Sequence, residues 1–89
     1  MKKTNYRSRT ELASNILEAA NGGATKSKIM YRAFLSYGQL KEYLQMLIQN
    51  DLMASDVAGI YRTTSKGIRY LETSRQLNGL LVPISQQKK

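Results

Sequence analysis

The stretch Thr25-Lys26-Ser27-Lys28-Ile29-Met30-Tyr31-Arg32-Ala33-Phe34-Leu35-Ser36-Tyr37-Gly38-Gln39-Leu40-Lys41-Glu42-Tyr43-Leu44 decides the fold of this chain. Thr25 is placed to cap a short helix over about residues 26–33, with Ile29, Met30 and Ala33 turned inward. Phe34-Leu35 reads as an apolar turn. Ser36 then opens a second helix in the capping-box pattern, with Gln39 three residues on. Leu40, Tyr43, Leu44, Leu47 and Ile48 give that helix, about 37–50, one apolar stripe. Two helices joined by so tight a turn make a helix-turn-helix.

Downstream the period changes. Leu52-Met53-Ala54-Ser55 and Ile60-Tyr61-Arg62-Thr63-Thr64 flank Asp56-Val57-Ala58-Gly59, a turn with Asp and Gly where a hairpin wants them. Ser65 is read as the cap of a last helix from about Lys66 to Asn78 or beyond, weakened by Gly79 and stopped by Pro83. Upstream, Ser8 and Glu11 repeat the capping box, and Leu12, Ile16, Leu17 and Ala20 recur at helical spacing up to Asn21-Gly22-Gly23. The expected fold class is α+β and mostly helical: a winged helix-turn-helix of three helices, a β-hairpin wing and a C-terminal helix. Residues 1–7 are expected to be a flexible basic arm, 8–82 the domain with its C-terminal helix, and 83–89 a disordered tail.

The chain of 89 residues carries 14 Lys+Arg against 6 Asp+Glu, a formal net charge of +8, and no Cys, His or Trp. Structural zinc sites of the usual Cys/His kind are thereby excluded, as are thiol and imidazole catalysis. The lack of Cys is compatible with a reducing compartment. Glu11 and Glu18 share a helix face but read as an ordinary exposed pair, and there is no Gly-rich phosphate loop. The expectation is a non-enzymatic protein with no cofactor and no metal. The longest apolar run, Gly79–Val82, is far short of the roughly 20 residues a membrane span needs. The basic start lacks the apolar region of a signal peptide. A domain this small buries only about 60–65% of its unfolded surface, so a second chain would add useful burial. The excess positive charge points to a polyanion, nucleic acid first. It is clustered: Lys2, Lys3, Arg7 and Arg9 in the arm region, Lys26, Lys28 and Arg32 on the second helix, but Lys41 balanced by Glu42 on the third.

The quoted stretch resembles the signature of a family of small archaeal winged-helix DNA-binding proteins, ArnR-like regulators and chromatin-associated proteins that dimerise as coiled coils. Thr64-Ser65-Lys66-Gly67-Ile68-Arg69-Tyr70-Leu71 resembles its second part. The resemblance covers roughly Leu12 to Leu77. It implies a double-stranded DNA partner, a role as transcription regulator or nucleoid-associated protein, a cytoplasmic location, and a homodimer through the last helix. The sequence departs from the family at Asn50-Asp51, where members usually have Gly, and Asn50 is expected to take the left-handed conformation there. Gly79 and Pro83 shorten the last helix relative to a long coiled coil.

By position the third helix is the reading helix, its first turn entering the major groove. Ser36, Tyr37, Gln39, Lys41 and Gln45 lie off its apolar stripe. Gln39 either pairs with adenine or is occupied by its cap, and Lys41 donates to guanine or phosphate. Lys26, Ser27, Lys28, Tyr31 and Arg32 are expected at phosphates, although Tyr31, like Tyr43, fits a core position better. Arg62 is the one cation of the wing, and Lys66 starts the last helix. The arm either tracks the DNA or stays solvated. Tyr70, Ser74, Leu77, Leu80 and Leu81 are expected at the dimer seam, the alternative being that the leucines fold back over the core. A protein–protein adaptor in the transcription machinery, or RNA binding, are the other readings that this fold class allows.

Overall fold

A computed structural model describes residues 7–80. Four helices, α1 (Arg9–Ala20), α2 (Lys26–Ala33), α3 (Tyr37–Gln49) and α4 (Ser65–Leu80), combine with strands β1 (Ala24–Thr25), β2 (Met53–Ser55) and β3 (Ile60–Thr63). The strands form one antiparallel sheet in the order β1-β3-β2. Met53 pairs with Thr63 and Ser55 with Tyr61 in the hairpin, while Ala24 pairs with the other edge of β3 at Tyr61.

Both capping boxes form. Ser8 Oγ accepts from Glu11 N at 3.1 Å while Glu11 Oε1 accepts from Ser8 N at 3.2 Å. Ser36 and Gln39 do the same for α3 at 3.2 and 3.1 Å. Gly22 and Gly23 both take positive φ beyond α1, but Asn21 remains extended. The core lies where α1 meets α2, α4 and β3, with Ile16, Leu17, Ile29, Leu40, Leu47 and Met53 fully buried. No buried side-chain polar atom lacks a partner among the described residues.

In its elements the structure differs from expectation at three points. The two-residue strand β1 is new, too short to leave an alternating pattern. The cap of α4 is Thr64, whose Oγ1 accepts from Gly67 N at 3.1 Å, so Ser65 is the first helical residue. The helix α4 continues beyond Asn78 through Gly79 to Leu80, as expected. The left-handed residue after α3 is Asp51 (φ 61), not Asn50, whose side chain instead donates to the Met46 carbonyl at 2.8 Å. Pro83, Leu81, the tail and residues 1–6 lie outside the described residues.

Candidate nucleic-acid interface

The cations sort into two groups once their partners are known. Arg32 donates to the Ala19 carbonyl at 3.2 Å, at the end of α1. Arg7 donates to the Ala33 and Phe34 carbonyls at 2.7 and 2.9 Å, at the end of α2, and also to Asn15. Lys66 donates to the Asn50 carbonyl at 3.0 Å, beyond α3. Each of these helices ends in carbonyls with no partner of their own and a partial negative charge, and each draws a cation from another element. Arg75 pairs with Glu18, and Arg62 with Asp56 at 3.4 Å. Arg9 lies over the Tyr43 ring, 5.6 Å from its centroid. Six of the basic side chains therefore have partners inside the fold.

Lys26, Lys28, Lys41 and Arg69 form the other group, exposed and without an ion pair or side-chain hydrogen bond among the described residues. Lys26 and Lys28 occupy the first turn of α2, next to exposed Ser27, and Lys41 the second turn of α3. Neither helix carries an acid in its first turn, so helix N-terminal amides and free lysines reinforce one another. Arg69, on α4, was not singled out by the sequence, because nothing in its spacing separates a free cation from a paired one.

The remaining expected residues fall as follows. Ser36 is the cap of α3, and Tyr37 and Gln45 are exposed on it. The Gln39 carbonyl oxygen is taken by its cap, which removes half of a bidentate adenine contact. Tyr43 is buried as expected, whereas Tyr31 is 80% exposed, because it lies on the α2 face opposite Ile29 and Ala33. Phe34, expected in an apolar turn, is 81% exposed at φ 54, and Leu35 alone turns inward. On α4, the Tyr70 hydroxyl donates to the Thr10 carbonyl at 3.2 Å and the hydroxyls of Ser74 and Ser14 meet at 3.0 Å. Both residues therefore face α1 rather than a free seam, and burial pushes the Tyr70 phenol pKa up. Leu77 and Leu80 are 60% and 79% exposed. They do not fold back over the core.

The wing is set by Asp56. Its Oδ1 accepts from Ala58 N and Ile60 N at 2.9 and 3.0 Å, closing the turn. The Ile60 amide leads in holding this carboxyl below the usual Asp range, with Ala58 and the Arg62 guanidinium adding to it. Arg62 is thus bound to its own wing, and the tip presents Val57 rather than a cation.

A helix-turn-helix followed by an antiparallel hairpin, with free lysines on its two short-loop helices, defines the winged helix-turn-helix class. Residues 6–81 match the family described as winged helix-turn-helix, and the chain belongs to that family. Among solved structures it is similar to Sso10a-2, a DNA-binding protein from Sulfolobus solfataricus, with a TM-score of 0.74 and 19% identity over 83% of this chain and 81% of that one. It is also similar to Lactococcus lactis ZitR, with a TM-score of 0.63 and 15% identity over 94% of this chain and 67% of that one. No curated protein sequence matches it. Among the described residues no helix is long and apolar enough to cross a membrane.

Proposed function

We propose that the chain binds double-stranded DNA through α2 and α3, without enzymatic activity. The observation that carries this reading is the placement of Lys26, Lys28 and Lys41, the partnerless cations of the helix-turn-helix, around helix N-termini free of acids. The first turn of α3 enters the major groove, with Tyr37, Lys41 and Gln45 toward base edges and Lys26, Ser27 and Lys28 at phosphates. Gln39 and Arg32 contribute less than position alone implies, since both are engaged within the fold. Arg62 is likewise held by Asp56, so the wing contributes little. The likeness to small archaeal winged-helix proteins supports a regulator or nucleoid-associated role in the cytoplasm, acting as a homodimer through the end of α4. The exposed Leu77 and Leu80 support that dimer.

Selection from random duplexes by the purified protein tests the reading. Enrichment of a motif identifies a regulator, and affinity without enrichment a packaging role. Failure to bind duplex at physiological salt removes the proposal and leaves the adaptor reading.

A further inference from the structure

Five exposed side chains run across the helix-turn-helix turn: Lys28, Tyr31, Phe34, Tyr37 and Lys41. Lys28 and Tyr31 are helical neighbours on α2 and Tyr37 and Lys41 on α3, with Phe34 in the turn between the two helices. Tyr31 and Phe34 expose about four-fifths of their surface and Tyr37 58%, while both lysines lack partners among the described residues. Phe34 is the left-handed C-cap of α2: its N–H reaches the Met30 and Tyr31 carbonyls, and Leu35 N donates to the Met30 carbonyl at 3.1 Å. That conformation closes the helix and leaves the Phe34 ring in water.

We infer that this stripe is a stacking platform for unpaired nucleotides, so that the chain binds single-stranded nucleic acid as well as duplex. Aromatic faces stack on the faces of unstacked bases, which a closed duplex hides. A lysine at each end of the aromatic row matches the phosphates that flank such bases. Neither interaction reads the 2′-hydroxyl, so DNA and RNA single strands are bound alike. An apolar protein partner would use the rings but not the two free lysines. The inference goes beyond duplex binding: Lys28, Tyr37 and Lys41 serve both ligands, and Phe34 is the platform residue not placed on the duplex, so substitution there separates the two readings.

The test compares the full chain with Phe34→Gly and Phe34→Asn, both residues that tolerate the left-handed backbone, on fluorescein-labelled dT20, rU20 and a 20-base-pair duplex by fluorescence anisotropy. Glycine suits the left-handed backbone at Phe34, so that variant keeps the fold, and its circular dichroism melt verifies this. Loss of one stacking ring weakens dT20 and rU20 by about fivefold to a hundredfold and duplex less than twofold. The inference is overturned if dT20 does not bind, if both variants bind it like the parent, or if duplex falls as much as dT20. It is equally overturned if the variants change only self-association, which would assign the rings to a protein surface.

Discussion

At the scale of the residue, backbone conformation separates positions that composition treats alike. Asp51 holds φ 61 in the place where the resembled family has Gly, and its side chain takes part in no hydrogen bond among the described residues. Asp51→Gly relieves that conformation against a smaller entropic loss, and is expected to stabilise the fold by about 0.5–1 kcal/mol. For a domain of this size the thermal midpoint then rises by several degrees, read by differential scanning calorimetry. Gly67 is the opposite case. A Cβ there falls 2.5 Å from Thr63 Cγ2 and closer still to the Leu52 carbonyl, so α4 sits against the wing only because the side chain is missing. Gly67→Ala is expected to cost about 1–3 kcal/mol despite the better helix propensity of Ala. An unchanged midpoint would refute that close approach. The departure at Asn50-Asp51 was legible in the sequence, but not which residue bears it. Asn and Asp both tolerate positive φ, and only the bond from Asn50 to the Met46 carbonyl decides between them.

At the scale of the element, both ends of α1, α2 and α3 were readable to within a residue, but not the contacts that close their C-terminal ends. Caps at Ser8, Thr25 and Ser36 are local, with donor and acceptor three residues apart, so sequence shows them. The helix ends are closed by Arg7, Arg32 and Lys66 from 13 to 27 residues away, which no local pattern records. The same physics separates an arginine and a lysine of one apparent basic patch, Arg32 and Lys28. Arg32→Ala is expected to lower stability by about 1 kcal/mol, in the range of a cation at a helix C-terminus, while leaving the salt dependence of DNA binding unchanged. Lys28→Ala is expected to do the reverse: equal stability, and a slope of log K against log salt reduced in size by about 0.9. Identical behaviour of the two variants would reject the sorting by partner. The wing adds a pH dependence. The Asp56 carboxyl is held below its usual range by its turn amides, so its contribution is present above the unfolded Asp value near 4. It is lost as pH falls through the lower folded value. Amide exchange at Ala58 and Ile60 should therefore remain slow at pH 5 relative to Asp56→Ala, and the difference should vanish in strong acid.

At the scale of the whole molecule, a net charge of +8 overstates what faces a ligand, since Arg7, Arg32 and Lys66 are turned onto helix-end carbonyls. Composition pointed to a polyanion partner, and the capping pattern made the helix-turn-helix legible. Which cations are free depends on long-range contacts and was not. Among the described residues the free set is small for tight binding: Lys26, Lys28 and Lys41 on the proposed face, with Arg69 on α4. Doubling that face is the direct remedy, and the far end of α4 offers the means. Tyr70, Ser74 and Arg75 are engaged by α1, so the helix is anchored through its eleventh residue, while Leu77 and Leu80 stand clear of the core. A dimer seam formed there joins two faces without disturbing either. Replacing both leucines by Ser removes the seam and touches no core residue. Sedimentation equilibrium is then expected to give a monomer with the parent's thermal stability extrapolated to low concentration. With three phosphates neutralised per chain, the salt slope is expected to fall from about −5 for the dimer to about −3 for the monomer. A parent protein that is already monomeric, or a slope indifferent to the Leu77 and Leu80 changes, would mean that each chain binds DNA alone and that the exposed leucines serve something else.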